Sequence, residues 1–185
     1  RSSIGPKLPN RKEMIEAVNS SARNLLILFN DILDFSKIEA GELAIEYIPF
    51  DIRKVVRQIE FLQKPVAMRK GLELKIQINE SMPQSIIGDP SRLQQILNNL
   101  MSNALKFTDN GFVALKVDGE NDSKGNFMTC ITVTDTGIGI PADKQAAVFS
   151  KFQQADTSTA RKYGGTGLGL SITKNLAELM GGSVS

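Results

Sequence analysis

The sequence predicts an α+β protein in which one long helix of the bundle type precedes a domain of strands and amphipathic helices. Three observations predict this architecture. An apolar seam with heptad spacing runs through residues 15–32, apolar and polar residues alternate over residues 72–78, and an amphipathic helix begins after Asp89 and Pro90. Spacings of three and four residues are typical of a helix that packs along one face, and strict alternation is typical of a strand.

The composition limits the chemistry that this chain can perform. Its 185 residues include one cysteine and no histidine, which excludes an internal disulfide, a cysteine metal cluster, zinc sites built on imidazole and Ser/His/Asp catalysis. The net charge of +2 argues neither for nor against nucleic acid, but no basic cluster is present, so we expect no nucleic-acid partner. No run is long enough to span a membrane and no secretory signal is visible.

The long helix is the first predicted element. Residues 1–10 lack an apolar period and predict a loop or a disordered lead-in. The seam that follows consists of Ile15, Val18, Ala22, Leu25, Phe29 and Ile32. A helix so broadly apolar must pack against other helices, so it is either a core helix of the following domain or one arm of a dimeric four-helix bundle. We expect it to end near Gly41, because glycine commonly ends helices.

The middle of the chain predicts a connector, a helix and a strand. Residues 42–51, which include Pro49, predict an extended connector. Residues 52–67 carry their apolar side chains on a common side, as a helix does. Residues 72–78 then predict a strand with one wet face.

The helix that begins at Asp89 combines an apolar stripe with a polar line. Asp is a preferred N-cap residue, and Pro suits the first helical position. Asn99, Asn103 and Lys106 fall at positions i, i+4 and i+7, between the apolar stripe and the wet side. Such a line is either an ordinary solvated stripe or a surface that binds an anion together with a cation.

An acid and two glycines follow a predicted hairpin of residues 111–118 and 127–135. Asp135, at the buried end of the second strand, could accept a hydrogen bond from an amino group. Gly137 and Gly139 would let the backbone approach a ligand, because glycine has no side chain and tolerates positive φ. The same Asp-x-Gly pattern is also typical of a plain turn.

A second glycine cluster, residues 164–169, precedes the last predicted helix, residues 168–180. Backbone N–H groups at such a helix start can bind phosphate. Residues 141–164 show little regular pattern, which is typical of a lid. Phe149 and Phe152 within them are either core anchors of this lid or participants in its closure.

These features resemble sensor histidine kinases, and the resemblance covers residues 12–185. The stretch Asn99–Thr108 resembles their N box, and Asp135–Ile140 resembles their first glycine box. Residues 149–152 resemble the F box, and residues 165–170 resemble the glycine box that closes the ATP lid. Residues 30–41 resemble the end of the dimerisation helices, especially those of hybrid kinases.

The resemblance implies a Bergerat-type α/β sandwich, in which helices cover one face of a mixed sheet, and it implies binding of ATP and magnesium (Mg²⁺). Residues 1–41 would be the second half of the dimerisation and phosphotransfer stalk, and residues 42–50 a connector. Residues 51–185 would be the ATP-binding catalytic domain. The family normally continues with further strands beyond the position of Ser185.

The resemblance also assigns roles within the site. Asn99 and Asn103 would hold Mg²⁺, since Mg²⁺ prefers oxygen ligands, and Asn99 and Lys106 would be the catalytic pair. Asp135 would accept a hydrogen bond from the adenine amino group. The further nucleotide-binding candidates are Phe107, Gly137, Ile138, Gly139, Arg161, Gly165, Thr166, Gly167, Leu168, Gly169 and Leu170.

Position 99 distinguishes between reactions. Related ATP-hydrolysing folds, namely gyrase, Hsp90 and the mismatch-repair ATPases, carry a glutamate where this helix has Asn99. A carboxylate can activate water as a general base and an amide cannot. The resemblance therefore implies a protein-histidine kinase that transfers the γ-phosphoryl group of ATP to a histidine outside this chain. The alternatives are a non-phosphorylating nucleotide-binding regulatory relative and a Bergerat-fold ATPase.

The expected partners follow from the same resemblance. They are a second copy through the N-terminal helix, a histidine-bearing dimerisation helix, and the receiver domain of a response regulator. We expect a cytoplasmic location, either as a free protein or as the cytoplasmic part of a membrane-anchored sensor.

Overall fold

The structure is a computed structural model that describes residues 10–121, 127–145, 147–149 and 167–185. The chain divides into two compact units, Arg1–Glu42 and Leu43–Ser185. None of the helices in the described ranges has the length and hydropathy of a membrane-spanning segment.

In its described part, residues 10–42, the first unit contains one helix, α1, which spans Arg11–Glu39. Its end agrees with the prediction, since Gly41 adopts a φ of 68° and the Glu42 N–H donates to the Lys37 carbonyl at 2.8 Å. Most of its apolar seam is exposed. The exposed large apolar residues, with exposed fractions from 42 to 68%, are Met14, Ile15, Val18, Leu25, Leu26, Phe29, Ile32 and Leu33. Among the described residues of this unit, nothing covers them.

The second unit alternates strands and helices. Its elements in chain order are β1 (Ile48–Phe50), α2 (Ile52–Lys70), β2 (Glu73–Ile78), β3 (Ile86–Gly88), α3 (Pro90–Phe107), β4 (Phe112–Asn121), β5 (Phe127–Asp135), α4 (Ala142–Gln145) and α5 (Gly169–Leu179). The predicted helices at residues 52–67 and 168–180 and the helix predicted to begin after Asp89 are all present, and α2 is three residues longer than predicted.

The main sheet has the order β2-β4-β5 and is mixed, as predicted. Strand β2 pairs with β4 in parallel, with Leu74 opposite Val113. Strand β4 pairs with β5 antiparallel, with Val113 opposite Asp135. Strands β1 and β3 form a separate antiparallel pair, which the sequence did not predict because three residues are too few to show an alternation.

The core lies between the sheet and helices α2 and α3. It is built from apolar side chains that are almost wholly buried, among them Ile52, Val56, Ile59, Leu97, Met101, Leu105, Val113, Leu115 and Val117. Glu73, Lys75, Gln77 and Lys116 on the strands are exposed. Helix α5 packs against α3. Helices α2 and α3 therefore cover one face of the sheet within the described ranges.

Candidate functional site

Both carboxylate oxygens of the N-cap residue of helix α3 accept hydrogen bonds. Asp89 is buried, and its Oδ1 accepts hydrogen bonds from the backbone N–H groups of Ser91 and Arg92, each at 3.0 Å. Its Oδ2 accepts from the Glu46 N–H at 3.2 Å. Three donors therefore share one buried carboxylate, which satisfies N–H groups that a helix start leaves without partners. The bond to Glu46 also ties the connector to the first turn of α3.

Asn99 lies where α3 crosses α5. Its Nδ2 donates to the hydroxyl of Thr173 at 2.7 Å, and its Oδ1 accepts from Asn103 Nδ2 at 3.4 Å. Asn99 and Asn103 are half-buried and Thr173 is fully buried. The polar line of α3 is therefore not a simple solvated stripe, because part of it is half-buried and hydrogen-bonded to a buried residue of α5.

Gly169 allows this crossing to be close. A Cβ atom at position 169 would stand 2.9 Å from both Cγ and Nδ2 of Asn99, closer than real Cβ atoms approach other heavy atoms. Any side chain at position 169 would displace the Asn99 amide. The glycine box and the N-box helix are thus in direct contact through this pair.

Lys106 lies in the last turn of α3, seven residues after Asn99. It is half-buried, and its Nζ is 4.8 Å from the centre of the Phe107 ring. Burial lowers the pKa of the Lys106 ammonium, because desolvation disfavours the charged form. A partly desolvated cation pairs with an anion more strongly than one in bulk water, since the local dielectric constant is lower.

Asp135 differs from the prediction. It is exposed and not buried, because β5 is an edge strand of the described sheet and Asp135 is its last residue. Its Oδ1 accepts from the Gly137 N–H at 2.8 Å, so the acid also shapes the turn that follows it.

The structure requires glycine at the two glycine positions of this turn for different reasons. A Cβ at Gly137 would stand 2.9 Å from the carbonyl carbon of Phe107 and 2.8 Å from Asp135 Oδ1. Glycine at 137 is therefore needed to pack against the end of α3. Gly139 has open space around it but adopts a φ of 68°, which L side chains rarely adopt.

A cleft of about 250 Å³ opens beside this turn. Its lining residues are Phe107, Asp109, Asn110, Thr136, Gly137 and Ile138. A larger concavity of about 380 Å³ is lined by residues of α2, among them Arg57 and Phe61, and by Gln94 of α3. The larger one contains neither an acid nor a glycine turn, so we place the candidate site at the smaller cleft.

The second glycine cluster is partly described. Gly167 has a φ of 70°, Leu168 is buried, and α5 begins at Gly169 without a side-chain cap bond to its first N–H groups. Leu170 follows in the first turn and is half-buried. The candidates Arg161, Gly165 and Thr166 lie outside the described residues, as do Phe152 and most of the predicted lid.

The candidate oxygen ligands for a cation at this site are side-chain amides, those of Asn99 and Asn103. Within residues 10–121 and the shorter described ranges, no group of three Asp, Glu, Cys or His side chains could hold a metal ion. Asn99 offers an amide oxygen beside Gly169, in the space that a Cβ at position 169 would otherwise occupy. This set suits Mg²⁺ that takes most of its ligands from phosphate and water, since Mg²⁺ keeps several waters when bound with a nucleotide.

Sequence reasoning missed three residues at the site. Thr173 receives the Asn99 hydrogen bond, and Thr136 accepts from the Phe112 N–H and donates to the Asn110 carbonyl, each at 3.0 Å. Lys70, at the end of α2, bonds to the last turn of α3. Of these three, only Thr173 could have been found from the sequence, because its spacing of four residues from Gly169 places both on the same face of a helix.

Comparisons with known proteins cover the part of the chain that contains these residues. Residues 88–185 match the family described as histidine kinase-, DNA gyrase B-, and HSP90-like ATPase. The chain is 45% identical over 177 residues to the signal transduction histidine-protein kinase BarA of Escherichia coli (strain K12), covering 96% of this chain and 19% of BarA. It is 46% identical over 187 residues to the circadian input-output histidine kinase CikA of Synechococcus elongatus (strain ATCC 33912 / PCC 7942 / FACHB-805), covering all of this chain and 24% of CikA.

Solved structures agree with the fold. Full-length ShkA in complex with AMPPNP matches with a TM-score of 0.76 and 35% identity, over 95% of this chain and 35% of ShkA. The catalytic domain of histidine kinase ThkA matches with a TM-score of 0.57 and 25% identity, over 73% of this chain and 82% of that domain. The expected Bergerat-type sandwich is confirmed. The chain spans only 19 to 24% of the length of the two curated relatives.

Proposed function

We propose that this chain, which belongs to the family of histidine kinase-, DNA gyrase B- and HSP90-like ATPases, is the ATP-binding catalytic part of a two-component sensor histidine kinase. The observation that carries the proposal is the position of Asn99. Asn99 lies on the N-box helix α3, in contact with Gly169 of the glycine box, and it donates a hydrogen bond to Thr173. An amide therefore occupies the position at which a hydrolytic relative needs a carboxylate base.

The adenine end of the nucleotide would lie in the cleft beside the first glycine box. Asp135 would accept from the adenine amino group through the oxygen that does not bond Gly137. Ile138 is 65% exposed at the mouth of this cleft and, with Phe107, would provide apolar contacts for the ring. Gly139 and Leu170 are the remaining candidates for this end.

The phosphate end would lie between α3 and the start of α5. Lys106 would supply a cation, and the backbone N–H groups that follow Gly167 and Leu168 would supply donors at the positive end of the helix dipole. Lid residues Arg161, Gly165 and Thr166 would complete this end in the closed state.

Asn99, supported by Asn103, would hold Mg²⁺ through its amide oxygen. When bound, the cation neutralises charge on the β- and γ-phosphates. The chain's own contribution is then positional. Lys106 offsets negative charge on the phosphates, and Asn99 cannot take a proton from water, so transfer to a docked acceptor is favoured over hydrolysis.

The acceptor would lie in another segment, because this chain contains no histidine. We propose that residues 1–41 are the second half of a dimerisation stalk, residues 42–50 a connector and residues 51–185 the catalytic domain. The exposed seam of α1 would then pair with a histidine-bearing helix and with a second copy. A response-regulator receiver domain is the proposed downstream partner, and the proposed location is cytoplasmic.

A radiolabelled-ATP assay tests this function. The chain alone with ATP and Mg²⁺ should acquire no acid-labile label and should release phosphate slowly. Addition of a separate dimerisation helix that carries a histidine should give acid-labile label on that helix. Asp135→Asn serves as the matched variant, because it keeps an oxygen for the Gly137 N–H but loses the charge, and it should label at least about tenfold less.

Two other outcomes would identify the alternatives. Rapid phosphate release without any acceptor would contradict the kinase proposal and favour an ATPase. Tight ATP binding with no transfer to a properly paired stalk helix would favour a nucleotide-binding regulatory relative.

A further inference from the structure

The C-terminal end of α3 has all of its carbonyl groups occupied. A helix leaves its last four carbonyls without N–H partners from the next turn. Here the Ala104 carbonyl accepts from both the N–H and the hydroxyl of Thr108, at 3.1 and 2.7 Å. The Phe107 carbonyl accepts from the Ile138 N–H at 3.3 Å. The two carbonyls between them, of Leu105 and Lys106, are bonded from a different direction.

Lys70 bonds both of these carbonyls. Its Nζ donates to the carbonyl oxygens of Leu105 at 2.7 Å, Lys106 at 3.2 Å and Thr108 at 2.7 Å. The same ammonium lies 3.9 Å from Asp109 Oδ1. A lysine ammonium has three donors, and this one directs three hydrogen bonds at the last turn and the C-cap of one helix.

The backbone of α2 brings Lys70 to this position. Gly71 follows it in the left-handed conformation, with a φ of 69°, and the Leu72 N–H bonds back to the Ala67 carbonyl at 3.0 Å. This is a Schellman-type helix end. Because Leu72 is buried and begins the approach to β2, the last residue of α2 is fixed on the core beside the end of α3.

The opposite side of the same turn meets the first glycine box. The Ile138 N–H bonds to the Phe107 carbonyl, and Gly137 has no Cβ because one would collide with that carbonyl. The last turn of α3 is therefore held between Lys70 on one side and the glycine box on the other. Lys106 and Phe107, two candidate nucleotide-binding residues, are part of this turn.

We propose that Lys70 is a positioning residue for the nucleotide site. By fixing the carbonyls of Leu105, Lys106 and Thr108, it sets the distance between the end of α3 and the glycine box, and so the width of the cleft that Phe107, Gly137 and Ile138 line. Lys70 does not line that cleft and acts through α3. This inference rests on the proposed function, because it assigns a role within the same site.

If Lys70 only capped α3, its replacement would have a different effect from that expected for a positioning residue. A lysine near a helix C-terminus stabilises the helix through the last carbonyls and the dipole. If this were its whole role, its loss would lower the stability of the domain evenly and leave the nucleotide affinity of the folded protein unchanged. A positioning role requires a local change at the Phe107–Ile138 contact.

The test compares Lys70→Met with Lys64→Met. Methionine keeps the length of the side chain but has no donors, and Lys64 is an exposed lysine of the same helix whose ion pair is with Glu60 at 3.8 Å. Two quantities are measured on the 185-residue chain: hydrogen exchange of the Ile138 amide without nucleotide, and calorimetric affinity for ATP with Mg²⁺.

We expect Lys70→Met to speed exchange of the Ile138 amide by roughly tenfold or more while the amides of Leu115 and Val117 in β4 keep their protection. ATP affinity should fall roughly tenfold, because the variant loses a hydrogen-bonded charge that acts on the ligand indirectly, through α3. Lys64→Met should change neither quantity. An even loss of protection throughout the domain, or an unchanged Ile138 exchange rate, would overturn the proposal.

Lys70→Arg is the second variant, in case Lys70→Met does not fold. Arginine keeps the charge, but its planar guanidinium cannot aim donors at three carbonyls in this arrangement. The same local increase in Ile138 exchange is expected, smaller in size, and its absence would again overturn the proposal. If the parent chain binds no ATP, the proposed function fails, whereas the exchange measurement still decides the role of Lys70.

Discussion

At the scale of single residues, the site depends on groups whose environment changes their chemistry. Asn99 would be an ordinary helix asparagine if Thr173 and Gly169 did not hold it at a helix crossing. Lys106 would be an ordinary surface lysine if the end of α3 did not partly desolvate it. The neighbours of Asn99 come from a distant part of the chain, whereas Lys106 lies beside Phe107 of its own helix.

The lowered pKa of Lys106 gives a prediction about pH. Burial lowers the pKa, so the folded chain holds this proton more weakly than the unfolded chain does. Between the lowered pKa and the usual lysine value, the free energy of unfolding therefore increases as the pH rises. Bound phosphate should raise the pKa back toward that value, because it favours the charged form.

ATP affinity should accordingly be highest below the lowered pKa and should fall as the pH rises through it, with proton uptake on binding in that window. Calorimetry in two buffers of different ionisation enthalpy would measure the uptake. Lys106→Met should bind ATP more weakly and lose this alkaline dependence. A wild-type profile identical to that of Lys106→Met would show that Lys106 does not meet the phosphates.

Sequence reasoning succeeded at this scale where a residue type has few uses. The glycines at 137, 139 and 167 and the asparagines of α3 were identified from their pattern, and the structure places them at turns and at one helix crossing. It was wrong about the burial of Asp135, which is exposed, and it missed Thr173 and Lys70. Their roles depend on which helix they meet, and no local pattern states that.

At the scale of elements, the candidate site depends on the crossing of α3 and α5 and on the two ends of α3. The start is fixed by Asp89, the middle by Asn99 and Thr173, and the end by Lys70. The long helices could be predicted because their apolar stripes repeat over many residues. Strands β1 and β3 could not, since each has three residues and pairs with a segment about forty positions away.

Gly169→Ala tests the crossing. Its new Cβ would stand 2.9 Å from the Asn99 amide, so Asn99 must move and lose its bond to Thr173. We expect a loss of about 1 to 3 kcal/mol in the free energy of unfolding, the usual cost of overpacking. Affinity for ATP with Mg²⁺ should fall more than affinity for adenosine, because the phosphate and metal end is displaced.

Gly182→Ala is the control for this variant. A Cβ there would meet only the Ala177 carbonyl oxygen, at 3.4 Å, and the residue is exposed. Thermal unfolding and calorimetry should show little change. Equal loss of affinity for ATP and adenosine in Gly169→Ala would mean that the crossing is purely structural and that Asn99 holds no metal.

At the scale of the whole molecule, the two units differ in how completely they bury their apolar surface. The second unit encloses a core between its sheet and its helices. In the described residues of the first unit, a helix of 29 residues carries eight large apolar side chains that are more than two-fifths exposed. A monomeric helix with such a seam is marginal in water, because helix stability in proteins comes mainly from packing of the apolar face.

The seam therefore predicts self-association through α1. Leu25 is 67% exposed and Phe29 is 59% exposed, and burial of each in a bundle would contribute roughly 1.5 to 3 kcal/mol. Replacement of both by serine should convert a dimer into a monomer in analytical ultracentrifugation and lower the helical signal in circular dichroism. Asn30→Ala, on an exposed polar position of the same helix, should leave the dimer intact. A wild-type chain that stays monomeric at high micromolar concentration would contradict a pairing role for α1, whereas ATP binding by the second unit would be unaffected by that result.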